Sequence, residues 1–249
     1  MQSWYRHLAL SDRPYARFAR RVYRGLHTAS LPPVAGWAVI PFFFVYRFLH
    51  TAYLFLFRVL VAEPVFRYYS TRVGRDFHSG ARIPVVQGKG RILLGDSVRI
   101  DGRCLIFFAV RYSELPTIEI GSNTGLGHEC VFTCGKSIRI GDHCRIASSV
   151  NFFDSPGHPV DPESRKAGKP ALQSDVRPIS IGNNVWIGSE SAILPGVSIG
   201  DNSIVAFRSV VMSDVPANVI VAGNPARIVA KIPAPTPTET GSGILNGTV

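Results

Sequence analysis

The chain has little of what would mark a metal or redox protein. Its 249 residues include four Cys, at 104, 130, 134 and 144, and no two of them form a C-x-x-C pair. No Cys–His spacing fits a structural zinc site either. Cys104, Cys130 and Cys144 each fall four places after an aliphatic residue (Ile100, Leu126, Ile140), a slot that Val98, Thr124, Val185, Ser191 and Ser203 hold elsewhere. They read as small core residues in a reducing compartment. No cleavable signal peptide is visible, because the start is charged and aromatic and has no apolar stretch ending in small residues. Acidic residues are scarce at one end: residues 1–75 hold eleven Arg against Asp12 and Glu63, whereas the rest holds sixteen basic and fifteen acidic groups. The positive charge thus belongs to the N-terminal segment. This argues against nucleic acid along the whole molecule and favours an anionic neighbour for the first 75 residues, such as a phospholipid headgroup layer.

Long uncharged apolar runs are missing as well. The best, Val34 to Tyr46, is interrupted by Pro41 and followed by Arg47, His50 and Arg58, and Pro64 ends the segment. Such a run is too short to cross a bilayer as a helix. A span centred on Arg47 would carry a penalty of roughly 2.5–3.5 kcal/mol for the charge. Arg-rich stretches flank the segment on both sides, which puts both ends on the same side of a membrane. The expectation is a re-entrant or interfacial pair of helices broken near Pro41; a single crossing and a soluble helical cap on the repeat core are the alternatives. Residues 1–30 read as a basic amphipathic helix, with Arg13, Arg17, Arg20, Arg21 and Arg24 on one face and Tyr15, Phe18, Val22 and Leu26 on another. That pattern suits a membrane surface.

What the chain does have is a period of six. From Ile181 onward an aliphatic residue returns at every sixth position: Ile187, Ile193, Ile199, Val205, Val211. Neither a helix nor a single strand produces this period. A coil with three short flat sides does, with about eighteen residues to a turn, and that is a parallel β-helix. Gly followed by Asp or Asn directly after an aliphatic, as in Ile140-Gly-Asp and Ile181-Gly-Asn, marks its corners. Irregular coils occupy 88–150, and 105–117 is expected to protrude as a loop. Residues 151–178 form a long polar break, which in a compact domain is usually functional or disordered. The chain therefore divides into an N-terminal basic and apolar helical segment, 1–75, a β-helix domain, 76–232, and a Pro/Thr/Gly-rich disordered tail, 233–249.

Chemistry concentrates at three places. His158 sits within the long break, between Gly157 and Pro159, where an imidazole could accept a proton at neutral pH. Ile181-Gly-Asn-Asn-Val-Trp-Ile-Gly-Ser189 follows the break, and Gly223-Asn-Pro-Ala-Arg227 closes the coil. His128, His143 and His158 are fifteen residues apart, a spacing open to a metal-dependent reading of the carbonic anhydrase type. Coil neighbours lie about eighteen apart, however, so these His fall on different corner slots. A non-catalytic β-helix scaffold is the other alternative.

Together, Gly157-His158-Pro159-Val160, Arg165-Lys166, Ile179 to Ser189, Leu194-Pro-Gly-Val-Ser-Ile-Gly-Asp-Asn-Ser203 and Gly223-Asn-Pro-Ala-Arg227 resemble the hexapeptide-repeat acyltransferases, the galactoside and maltose O-acetyltransferase group. The resemblance covers roughly 115–231. Membrane-associated relatives of polysaccharide biosynthesis are similar in overall layout. The resemblance implies a left-handed β-helix, a homotrimer with active sites between neighbours, and direct acyl transfer from acyl-CoA, most simply acetyl-CoA, to a sugar hydroxyl. It implies no metal and no nucleic acid. His158 matches the general base, and His128 falls near an acceptor-side Asn. Ser189, Phe207, Ser213, Arg227 and Lys231 fall at or beside positions that hold coenzyme A. Two departures stand out. Ala206-Phe207-Arg208-Ser209 replaces a run of small residues that lets the pantetheine arm lie against backbone, and Met212-Ser213 replaces a Thr-Lys pair. With the basic N-terminal segment, the expected acceptor is a glycan or lipid-linked saccharide at the cytoplasmic face of the membrane.

Overall fold

The computed structural model of the protein describes residues 10–29 and 36–233. Expectations that fall on 1–9, 30–35 and 234–249, including most of the tail, lie outside the described residues. The chain divides into two compact units, 1–53 and 54–249.

In the first unit, helix α1 spans Pro14–Thr28, with Pro at its N-terminus, where the missing amide donor costs nothing. Its apolar residues Tyr15, Phe18, Val22 and Leu26 are exposed. Arg17, Arg20, Arg21 and Arg24 gather around Gly25 on another face. Helix α2, Gly36–Phe57, runs unbroken through Pro41. This corrects the expected break. Pro41 sits near the helix start, where an absent N–H removes only one early hydrogen bond. Among the described residues, one helix, Val39–Tyr69, is long and apolar enough to cross a membrane, and its most apolar stretch is wholly unburied.

In the second unit the same helix continues through a π-helical turn, Arg58–Ala62, into α3, Glu63–Tyr69. Phe66 of α3 is buried and packs against Phe77 with ring centroids 5.3 Å apart and the rings tilted at 41°. Thus α3 covers the open end of the first coil, hiding core that a stacked-coil fold would otherwise expose.

The coils begin at Arg72, four residues before the expected boundary. They build three parallel sheets. Sheet A contains β1 (Arg72–Val73), β4 (Arg91–Leu94), β7 (Thr117–Ile120), β10 (Ser137–Ile140), β13 (Ile179–Ile181) and β16 (Ser198–Ile199). Sheet B contains β2 (His78–Ser79), β5 (Arg99–Ile100), β8 (Gly125–Leu126), β11 (Arg145–Ile146), β14 (Trp186–Ile187), β17 (Ile204–Val205), β19 (Val219–Gly223) and antiparallel β20 (Ala226–Lys231). Sheet C contains β3 (Val85–Gln87), β6 (Leu105–Phe108), β9 (Val131–Cys134), β12 (Asn151–Phe153), β15 (Ala192–Ile193) and β18 (Val210–Val211). The expected loop at 105–117 is therefore shorter, because 105–108 is the strand β6.

Each sheet sends a column of side chains inward, and sheet A adds a second one of Ile92, Ile118, Ile138 and Ile179. Sheet A stacks Leu94, Ile120, Ile140, Ile181 and Ile199. Sheet B stacks Ile100, Leu126, Ile146, Ile187 and Val205. Sheet C stacks Ile106, Phe132, Phe152, Ile193 and Val211. All are buried, and each contributes roughly 1.5–3 kcal/mol by leaving water. Cys104, Cys130, Cys134 and Cys144 are free and buried within this core. Burial pushes the Cys130 thiol up to about 11, far from the range of a reactive thiolate.

Three corners join the sheets. The first follows sheet A and carries a continuous ladder of hydrogen bonds from backbone amides to side chains. Arg75 N–H donates to Asp96 Oδ1 (2.8 Å), Asp96 N–H to Ser122 Oγ (3.1 Å) and Ser122 N–H to Asp142 Oδ1 (2.6 Å). Asp142 N–H then donates to Asn183 Oδ1 (2.9 Å) and Asn183 N–H to Asp201 Oδ1 (2.7 Å). The second corner follows sheet B, and the third follows sheet C.

Candidate functional site

The long break is a built structure rather than a loose loop. It leaves β12 at Asp154, which is buried. The Asp154 carboxylate accepts hydrogen bonds from the backbone amides of Gly135 (2.6 Å) and Lys136 (2.7 Å). Its carbonyl accepts from the Arg177 amide (2.8 Å), so the two ends of the loop are tied together. Burial pushes the Asp154 carboxyl above its ordinary value, and the amide donors work against that push. Further along, Asp161 caps the short helix α4, Pro162–Lys166, by accepting from Ser164 N–H (2.7 Å). Arg165 donates to the carbonyls of Pro159 and Val160, both at 2.9 Å. These bonds bracket His158, which is exposed at the third corner. The returning leg is held by Gln173 Nε2 donating to the Tyr112 carbonyl (2.9 Å) and by buried Ala171 and Val176.

The outer face of sheet B holds a groove of about 660 Å³. Arg99, Gly125, Arg145 and Trp186 form its floor, since they stand in register on successive coils. Ser97, Asn123 and Thr124 line the edge toward the first corner, and His128, Ser148 and Ser189 line the edge toward the second. Trp186 is 54% exposed, so it is a surface of the groove and not part of the core.

The seven predicted site residues fall at different corners. Ser189 and Phe207 lie on the second corner of successive coils, and His128 lies on the second corner further down the stack. Arg227 is the second residue of the returning strand of the β19–β20 hairpin, whose tip reaches the second corner through Gly223 N–H donating to Ser209 Oγ (3.2 Å). His158 and Ser213 lie on the third corner, across the width of sheet C. Lys231 pairs with Val219 at the far end of β20, beside the first corner. His158 is not among the residues that line the groove. Within one chain, then, the topology groups His128, Ser189, Phe207 and Arg227 and leaves His158 on the opposite edge of sheet C. His143 lies on the first corner, away from His128. Among the described residues, no cluster of three or more metal-ligating side chains is present.

Phe207 is 57% exposed, and Arg208 stacks over its ring at 4.8 Å while pairing with Glu190 at 2.6 Å. The bulky pair therefore projects from the corner without disturbing the coil. Sequence reading did not single out Arg99, Arg145, Asp154 or Arg177. Arg99, Arg145 and Trp186 share one signal, a position directly before the inward aliphatic of a sheet B strand.

A stacked-coil scaffold of six-residue sides, with its polar chemistry at corners and in one anchored loop, defines the class of hexapeptide-repeat transferases. The family model for the bacterial transferase hexapeptide (six repeats) matches residues 178–212. Galactoside O-acetyltransferase of Escherichia coli is 42% identical over 123 residues, covering 49% of this chain and 58% of that protein. A maltose O-acetyltransferase structure from Clostridium difficile is 30% identical, covers 60% of this chain and 70% of that one, and has a TM-score of 0.42. AntD, an N-acyltransferase from Bacillus cereus, shares the fold with a TM-score of 0.56 at 21% identity, over 69% of this chain and 88% of its own. The chain belongs to the hexapeptide-repeat transferase family, and its fold is the left-handed parallel β-helix. It spans about 60% of the length of the curated relatives it matches.

Proposed function

We propose that this chain is an acyl-CoA-dependent O-acyltransferase, with acetyl-CoA as donor and a sugar hydroxyl of a glycan or lipid-linked saccharide as acceptor. The observation that carries this reading is His158, exposed on a loop pinned at both ends by Asp154 and stiffened by Asp161 and Arg165. A base held this way can be positioned against a hydroxyl without first being ordered. One ring nitrogen of His158 takes the hydroxyl proton while the oxygen attacks the thioester carbonyl. The C–S bond then breaks, and the departing thiolate takes the proton back from the imidazolium. A general base of this kind supplies about 10²–10⁴-fold. Acetyl transfer by the sequence-similar Escherichia coli enzyme named above supports the reaction class.

In this reading the active enzyme is a homotrimer. The third corner of one copy, with His158 and Ser213, meets the second corner of its neighbour, with His128, Ser189, Phe207 and Arg227. That pairing would explain why sheet C separates the two groups within one chain. Residues 1–75 bind the anionic cytoplasmic face of the membrane. The exposed apolar residues of α1 and α2 and the Arg cluster of α1 support this association. An unbroken α2 has no turn at Pro41 that would send it back to the same side.

The test is incubation of the full-length protein with labelled acetyl-CoA and a panel of free and lipid-linked sugars, followed by product mass. Label in a saccharide ester is expected; label in none of them contradicts the reading. Mixing His158→Ala chains with Ser189→Trp chains tests the trimer, because activity should return only in mixed assemblies.

A further inference from the structure

Resting on the acyltransferase reading, the geometry points to an acceptor that carries a phosphate or diphosphate, gripped on the outer face of sheet B by Arg99 and Arg145. The groove there is not a generic sugar cleft. Its floor is a register column in which Gly125 stands between two arginines, with Arg99 one coil below and Arg145 one coil above. Parallel strands are about 4.8 Å apart, so the two Arg backbones lie about 9.6 Å apart. Two long guanidinium arms can converge across that gap on the oxygens of one phosphate or diphosphate.

Gly125 keeps the gap open. A Cβ added there would meet only Arg145 Cδ, at 3.9 Å, so packing does not demand glycine at this place. Nor does the backbone, since Gly125 is not among the residues with positive φ. What glycine does supply here is a floor with no side chain of its own, over which the Arg145 arm reaches to the Asn123 carbonyl.

The charges in the lining favour an anion. Arg99, Arg145 and His128 face Asp101, the one carboxylate there. The Arg99 guanidinium makes no hydrogen bond or ion pair among the described residues. The Arg145 Nη1 is held by the carbonyls of Asn123 (2.6 Å) and Cys144 (2.9 Å), which fixes that arm along the groove. Trp186 continues the column beyond Arg145 and offers an apolar platform for a sugar ring. The stripe also extends the other way: His78 stands in register with Arg99, and Arg58 donates to His78 Nδ1 at 2.7 Å. Arg58 belongs to the π-helical turn that follows the apolar helix. The basic column thus begins where the apolar helix ends.

Binding by titration calorimetry at low salt tests this on the full-length protein in detergent. The probes are inorganic pyrophosphate, N-acetylglucosamine 1-phosphate and free N-acetylglucosamine. Wild type should bind both phosphate probes more tightly than the free sugar. Arg99→Ala should weaken them roughly tenfold or more, the ordinary scale for a lost charged hydrogen bond. Gly125→Leu, which fills the floor, should do the same. Arg139→Ala, which removes an exposed charge from sheet A, should not. Equal weakening by Arg99→Ala and Arg139→Ala, or no phosphate binding by wild type, would overturn the proposal. So would displacement of the sugar phosphate by saturating coenzyme A, because the groove would then belong to the donor.

Arg99 carries the test because its side chain supports no other part of the fold. Arg145→Ala is read alongside a thermal melt, since it also ties two carbonyls. A polyprenyl-diphosphate-linked sugar in vesicles, compared with the soluble phosphate, distinguishes a lipid-borne from a free source. The two readings can fail separately. Arg99-dependent phosphate binding without acetyl transfer would sink the acyltransferase reading alone. Transfer to free sugars with the same KM in wild type and Arg99→Ala would sink this one alone.

Discussion

The first and second corners of the coil are built from the same backbone and used differently. Both place residues with positive φ at their turns, the first corner on every coil and the second from the third coil onward. At the first corner these are Asp76, Ser97, Asn123, His143, Asn184, Asn202 and Asn218; at the second they are Glu129, Ser149, Glu190 and Arg208. Asn tolerates the left-handed region, whereas Glu and Arg enter it at a cost of roughly 1 kcal/mol or more. The first corner also has its continuous amide-to-side-chain ladder, with Asn184 donating to Asn202 and Asn202 to Asn218 beside it (2.9 and 3.0 Å). The second corner has three shorter-reaching links, all to serine hydroxyls and none to a carboxylate: His128 N–H to Ser148 Oγ (3.1 Å), Ser209 N–H to Ser191 Oγ (3.2 Å) and Gly223 N–H to Ser209 Oγ (3.2 Å). One corner is chosen for stability. The other carries strained residues and three predicted site residues, and borders the groove. Strain of this kind collects where function competes with folding.

Substitutions at the corners can break or sharpen that contrast. The largest effect on stability should come from Asp154→Ala at the third corner, which leaves two amides without their carboxylate acceptor. About 3 kcal/mol of destabilisation is expected by chemical denaturation, with loss of order in the His158 loop. Next, Asp142→Ala removes the acceptor for Ser122 N–H on the first corner and should cost about 1 kcal/mol. The comparable second-corner change, Ser148→Ala, should cost less than half of that; equal costs would erase the contrast. Glu129→Asn should act in the opposite direction and stabilise by about 0.5–1 kcal/mol, because Asn accepts the φ of 58° more readily.

The smallest effect is at His78. Burial, followed by the nearby Arg58 and Arg99, holds its imidazole below the ordinary value, while Glu63 and Asp101 pull weakly the other way. The unfolded chain therefore takes up a proton near pH 6.5 that the folded chain resists. Stability from this group is fully present above about pH 6.5 and is lost as pH falls below it. His78→Gln should flatten the pH dependence of the melting temperature between pH 5 and 7, and an unchanged slope would contradict the assignment.

The regular coils were legible because Ile181 to Val211 repeat without insertion. Every inward slot is aliphatic, and the period admits only one fold. The earlier coils were harder to read. Phe107 and Phe108 lie within the expected loop but belong to β6, and the loop proper begins only after them. Pro41 misled because proline breaks helices in their middles, and here it lies in the opening turns. His158 drew attention as a candidate because the period stopped around it. Arg99, Arg145 and Asp154 were missed for a physical reason. Outward slots carry no hydrophobic period, and insertions of different length place Arg99, Arg145 and Trp186 at unequal sequence distances although they stack in space. Asp154 looked like one more polar residue at the start of the break; only its burial shows it as the anchor.

The most direct test of the central claim is the rate of acetyl transfer by His158→Ala beside wild type, with folding checked by the thermal melt. The substitution lies on an exposed position, so the melt should be unchanged while transfer falls by about 10²–10⁴-fold. A variant that folds normally and keeps the wild-type rate would contradict the account.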